Sequence, residues 1–192
     1  MQRQTETPKR PLKKFSIEAE TFLDNPNCLI FFFDEGRFGL QSTVTRIWAK
    51  RGEPVHVKVQ QGYKNFYSYS AVSPHCGESF SLFLPEINTE MMNIFLDEFL
   101  KEYSDKDILF VLDQAGWHKA KDLKVPPNTT LMFLPPYSPE LNPVEKLWQW
   151  LRKEATHNIL FKTLEELMDA LENELRKLTP EKFVQLCHCS YL

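Results

Sequence analysis

Hydrophobic and polar positions along the chain change period several times, and each change marks an element. The apolar run Cys28–Phe33 ends at Asp34 and Gly36, the pattern of a short strand buried on both faces with Asp34 at its C-terminal end. Blocks enriched in β-branched and aromatic residues follow at Val44–Ala49, Val55–Gln60, Asn65–Ser73 and Ser79–Leu84. The turn-forming stretches Arg51-Gly52-Glu53-Pro54, Gln61-Gly62 and His75-Cys76-Gly77 separate them, so this half predicts an antiparallel meander. From Thr89 to Tyr103 the period becomes helical: Met91, Met92, Phe95, Leu96, Phe99 and Leu100 share one face, and Asn88 or Thr89 caps the start.

Ile108–Leu112 is a second short buried strand that ends in an acid, Asp113, and strand-helix-strand order implies a crossover to a parallel neighbour. Thr130–Leu134 predicts another strand. The segment Pro135–Pro143 holds four prolines in nine residues and reads as a rigid, shaped loop. Asn142 is suited to cap a helix with Pro143 at its first position and Val144, Leu147, Trp148 and Leu151 as its apolar stripe. A last amphipathic helix spans Leu164–Leu178, and Pro180 blocks its simple continuation. This order predicts an α/β (α+β) domain, a mixed sheet flanked by helices that fits the ribonuclease-H-like architecture. The division expected is a basic arm or linker over 1–27, a core over 28–160, and C-terminal helices over 161–192 packed on the same domain.

With 192 residues, 42% hydrophobic and 26% charged, the chain can bury the core of one domain. No stretch approaches the roughly 18 to 20 apolar residues of a membrane span, and the first residues lack a signal peptide's hydrophobic stretch, so the protein is expected to be soluble and intracellular, with no membrane partner. Cys28, Cys76, Cys187 and Cys189 are too scattered for a disulfide framework, and Cys187-His188-Cys189 lacks a second ligand pair for zinc. The net charge of −3 excludes a protein that coats nucleic acid through overall charge, so any DNA surface has to be local. Two segments supply it: residues 1–14 carry five cationic side chains against one anionic, and residues 35–64 six against two. Residues 65–113 are acidic, with nine anionic side chains against two cationic.

Asp34 and Asp113 each end a buried strand, and parallel neighbours would project both acids from one edge of the sheet. Paired carboxylates of this kind can hold divalent metal, and phosphodiester chemistry uses two such ions about 3.5 to 4 Å apart to stabilise the attacking and leaving oxygens. Magnesium takes oxygen ligands and keeps several waters, so two or three acids suffice. Either aspartate alone reads equally as a solvated strand end. Glu145 has two readings: a metal ligand fixed by the rigid loop, or the third-position glutamate of a capping box with Asn142. Periodicity does not separate them.

Three blocks carry a family resemblance: Phe33-Asp34-Glu35-Gly36-Arg37-Phe38-Gly39, Val111-Leu112-Asp113-Gln114-Ala115-Gly116-Trp117-His118, and Leu134–Trp148 with its Pro-Pro-Tyr-Ser-Pro-Glu-Leu-Asn-Pro core. Together they resemble the DDE transposases of the mariner-like superfamily, bacterial insertion-sequence branch, over roughly 28–153. The resemblance implies a ribonuclease-H-like fold, two Mg2+ (or Mn2+) ions, and Asp34, Asp113 and Glu145 as catalytic metal ligands. It implies cleavage at transposon ends followed by attack of the freed 3′-hydroxyl on target DNA, with double-stranded DNA as partner and a homodimer in the DNA complex. Full-length members carry N-terminal helix-turn-helix modules that do not fit in the 27 residues before the first strand, so end recognition is not expected of this polypeptide alone. Alternatives are a nuclease of the same fold without strand transfer, and a non-catalytic domesticated remnant that binds DNA.

Arg37, Arg46, Lys50, Arg51, Lys58 and Lys64 are candidates for DNA backbone contacts, which need only cationic reach to phosphates; an ordinary solvated face explains them almost as well. His118 could contact the scissile phosphate or serve as turn and core. Tyr137 could stack on an unpaired base or pack beneath its loop.

Overall fold

The computed structural model describes residues 15, 17, 19, 21–42, 44–46, 48–52, 56 and 58–191. Among these, five strands form one mixed sheet in the spatial order β3-β2-β1-β4-β5, with β1 at Cys28–Gly39, β2 at Asn65–Val72, β3 at Ser79–Leu84, β4 at Asp107–Leu112 and β5 at Thr129–Phe133. The helices include α1 at Thr89–Tyr103, α2 at Val144–Leu151, α3 at Leu164–Arg176 and α4 at Pro180–Leu186, with single 3-10 turns at Gly116–Lys119 and Pro139–Leu141 and a π turn at Arg152–Thr156. None of the described helices is long and apolar enough to cross a membrane.

Side chains alternate across a strand, so the unbroken apolar run of β1 serves two cores at once. Phe31 and Phe33 meet Phe95 and Phe99 of α1, together with Tyr69 and Phe110. Ile30 and Phe32 face the other way, into a cluster with Leu147, Trp148 and Leu151 of α2 and Leu167 and Leu171 of α3. Phe15 and Ala19, within the segment expected to be an arm, are buried in that second cluster. Asn88 caps α1 by accepting the Met91 N–H at 2.8 Å.

The central strand changes partner along its length. It pairs in parallel with β4 from Cys28 to Phe32, then antiparallel with β2 from Phe32 to Gly39. Asp34 therefore lies inside a twelve-residue strand and not at its end, because β2 carries the ladder onward after β4 has stopped. The sheet forks at Phe32, and the fork exposes an edge where side chains can meet a ligand.

The strands expected at Val44–Ala49 and Val55–Gln60 are not present among the described residues; positions 43, 47, 53–55 and 57 lie outside them. The chain between β1 and β2 instead makes an irregular excursion closed at its base by the Leu40 N–H to Lys64 carbonyl bond (3.1 Å) and by Ser42, whose hydroxyl accepts the Gln60 N–H at 2.7 Å. Val44, Trp48, Val59 and Tyr63 are exposed along it. β-Branched and aromatic content marks a strand only where a pairing partner is met, and the described residues of these blocks meet none.

Candidate active site

Asp34, Asp113 and Glu145 line one cavity of about 500 Å³, together with Gln114, Asn142 and the loop Leu134–Pro139. The parallel register aligns Phe32 with Val111; continued by two residues, it sets Asp34 beside Asp113, the first residue after β4. Alternation places Asp34 on the Phe32 face of β1, toward α2, whose first turn carries Glu145.

Each wall of the cavity is tied to the sheet. Asn142 donates from Nδ2 to the Phe33 carbonyl at 2.9 Å and accepts the Val144 N–H at 3.2 Å, so one buried side chain joins the end of the proline loop to the residue before Asp34. At the loop's start, Gln114 donates to the Leu134 carbonyl at 2.9 Å. The Asn142 N–H is bonded to the Pro139 carbonyl, so no capping box forms with Glu145, whose carboxylate faces the cavity instead. The helix begins at Val144, with Pro143 in the cap position.

Trp148, expected as part of an apolar stripe, also donates from Nε1 to Asp34 Oδ2 at 2.9 Å. The indole lies so close beneath β1 that a Cβ on Gly36 would stand 2.8 Å from its Cδ2, which is why that position is a glycine. Burial drives the Asp34 carboxyl up to about 7, assisted by the neighbouring carboxylates of Glu35 and Glu145 and opposed by the Trp148 bond. Asp113 behaves in the opposite way: a hydrogen bond from His118 holds it below the ordinary carboxylate range.

His118 is buried, with Nδ1 2.9 Å from Asp113 Oδ1 and Nε2 3.0 Å from Glu35 Oε1. Burial alone would lower its pKa, but the bonds to Asp113 and Glu35 outweigh it and lift the imidazole to about 9. Trp117 Nε1 donates to the same Glu35 oxygen at 3.0 Å. Both ring nitrogens of His118 are thus engaged by carboxylates of the protein. Tyr137 is fully exposed at the cavity rim, with a left-handed φ of 57°.

The donor set suits a hard divalent cation: three carboxylates and no Lys or Arg side chain line the cavity among the described residues. The described residues contain no preassembled group of three or more His, Cys, Asp or Glu side chains at metal-binding spacing. Cys187 and Cys189 are free thiols whose pKa values burial raises. Arg37, Arg46, Lys50, Arg51, Lys58 and Lys64 are all exposed. Arg37 and Lys64 line a second cavity, of about 320 Å³, at the base of the excursion. Arg152 joins them there, its guanidinium 5.6 Å from the centre of the Phe38 ring; nothing in the local sequence distinguishes it from a solvated helix residue.

A family model described as DDE superfamily endonuclease matches residues 29–168. An uncharacterized protein of Sinorhizobium fredii, y4pE/y4sA, is 46% identical over 103 residues, which cover 53% of this chain and 76% of that protein. The insertion element IS630 uncharacterized 39 kDa protein of Shigella sonnei is 23% identical over 156 residues, 79% of this chain and 46% of its own length. The chain thus spans about half of that relative. Among solved structures, the Mos1 mariner paired end complex with Mn superposes with a TM-score of 0.70 at 16% identity over 95% of this chain and 60% of that one. The catalytic domain of Mos1 mariner transposase gives 0.60 at 16% identity over 95% and 89%. At such identity the likeness shows the fold, and the mixed five-strand sheet flanked by helices is ribonuclease-H-like as expected.

Proposed function

Because this chain belongs to the DDE superfamily of endonucleases, we propose that it is the catalytic domain of a transposase of the IS630/mariner group that cuts DNA at transposon ends and joins them to target DNA. The observation that carries this reading is the convergence of Asp34, Asp113 and Glu145, from three separate elements, on one cavity without a cationic side chain among the described residues. Asp34 and Asp113 would share two Mg2+ or Mn2+ ions and Glu145 would complete the second; bound there, the ions supply positive charge to the attacking and leaving oxygens and activate the nucleophile.

The chain's own residues do the rest. Trp148 fixes Asp34, Asn142 fixes the loop, and the proline-rich wall holds Glu145 without having to order on binding. Phe38 lies four residues beyond Asp34 on the same face of β1, about 13 Å along the strand, and lines the second cavity with Arg37 and Arg152, which puts these cations within reach of a phosphate flanking the scissile one. Arg46, Lys50, Arg51 and Lys58, exposed on the excursion, would add to this basic surface, and Tyr137, exposed at the cavity rim, would stack on a base. A dimer holding two DNA ends is supported by the paired-end arrangement of the Mos1 complex.

The test is cleavage of supercoiled plasmid bearing transposon ends, in Mg2+ or Mn2+. Asp34→Asn, Asp113→Asn and Glu145→Gln are each expected to lower strand cleavage by about 100-fold or more. Full activity in either aspartate variant refutes the assignment, and joined products separate strand transfer from cleavage alone.

A further inference from the structure

Asp113 is the most exposed of the three acids. It stands beyond the last residue of β4, and its side chain is 59% exposed. Its protein contacts are the Ala115 N–H at 2.9 Å and His118 Nδ1 at 2.9 Å, and both fall on Oδ1, leaving Oδ2 for a ligand. Behind it runs a chain of buried polar groups: Trp117 Nε1 and His118 Nε2 both meet Glu35 Oε1, and the side chains of His118 and Glu35 are 1% and 5% exposed. Each ring nitrogen of the imidazole thus faces a carboxylate oxygen. Burying a fourth acid beside Asp34 is costly unless it is paired. Glu35, although adjacent to Asp34 in sequence, is on the opposite face of β1, outside the acid cavity.

We propose that Glu35 and His118 form a clasp that positions Asp113: Glu35, itself steered by Trp117, orients the imidazole, and the imidazole fixes the rotation of the Asp113 carboxylate so that Oδ2 is presented to a divalent cation. The inference rests on the metal-site reading given above. Histidine and carboxylate partners behind a metal ligand act in this way in general, with losses of about 10- to 100-fold in metal affinity when they are removed.

Two conservative variants divide the clasp. An amide in His118→Asn reaches about as far as Nδ1 and keeps the Asp113 bond while losing Glu35; in His118→Gln it reaches about as far as Nε2 and keeps Glu35 while losing Asp113. Mn2+ binding to the full chain, followed by the electron paramagnetic resonance signal of the free ion, is expected to weaken about 10-fold or more in His118→Gln, which loses the Asp113 bond, and by a smaller factor, about 3-fold, in His118→Asn, which keeps that bond but loses the Glu35 that orients it. Thermal unfolding in EDTA reports the structural loss separately and is expected to drop in both. Equal Mn2+ affinities in the two variants, or the reverse order, would overturn the clasp. Wild-type affinity in His118→Asn overturns it as well, since Glu35 would then orient nothing, and this decides the matter even where the Gln chain does not fold. A wild-type chain that binds no Mn2+ overturns the metal-site reading and the clasp with it, whereas Mn2+ binding that ignores both substitutions overturns the clasp alone.

Discussion

Asp34 should destabilise the protein that depends on it. Its carboxyl is lifted from the ordinary 3.8 to about 7 by burial and by Glu35 and Glu145. A raised carboxyl pKa means that the folded state holds its proton more tightly than the unfolded state, so between about pH 4 and 7 the folded chain binds more protons and stability falls as pH rises. The interval corresponds to a penalty of up to about 4 kcal/mol, fully present above pH 7. Asp34→Asn removes the ionisation while its amide oxygen can still accept the Trp148 N–H. In EDTA at pH 8 the variant is expected to be more stable than wild type by up to about 4 kcal/mol, roughly 10 °C in midpoint for a chain of this size, and to match wild type at pH 4. Urea denaturation followed by tryptophan fluorescence at both pH values measures this. Equal stabilities at pH 8 refute the reasoning, and a gain of the same size at both pH values assigns the effect to packing. Added Mg2+ should narrow the gap at pH 8 by stabilising wild type alone, since the ion takes the place of the proton.

Three further outcomes follow from particular contacts. Gly36→Ala drives a methyl into the Trp148 ring and is expected to cost about 1 to 3 kcal/mol in urea denaturation and to cut cleavage with it, because the same indole holds Asp34. Asn142→Ala leaves the buried Phe33 carbonyl without its donor, for about 1 to 3 kcal/mol by the same measurement; unchanged stability would show that another donor replaces the amide. Arg152→Gln is expected to weaken DNA binding for all sequences alike and to reduce the slope of log affinity against log salt by about 1, as one lost phosphate contact requires, with an unchanged slope placing Arg152 off the DNA path.

The parts of the fold that depend on local period were legible in the chain. The β3 strand, the α1 helix and its Asn88 cap follow from alternation, helical spacing and side-chain capping, which are properties of neighbouring residues. What was not legible depends on distant pairing. Val44–Ala49 has strand composition yet its described residues pair with no strand, and Asp34 reads as terminal because the apolar run stops there while β2 carries the ladder on to Gly39. Glu145 is the instructive residue at the site: its capping and cavity-facing readings look the same in sequence, and they separate only once the Pro139 carbonyl is seen to occupy the Asn142 N–H. Glu35 and Trp148 went unassigned because a buried acid and a polar handle on a core tryptophan are defined by partners about a hundred residues away.

The excursion between Leu40 and Lys64 leaves and re-enters the sheet at adjacent points, past the far end of the β1–β2 ladder from the fork that bears the acids. Closing a loop costs only about 0.6 kcal/mol more for each doubling of its length. Residues can therefore be inserted or deleted there without shifting Asp34 against Asp113. That hairpin tip is where length variation among related proteins should concentrate, letting the grip on a DNA substrate diverge while the chemistry stays fixed.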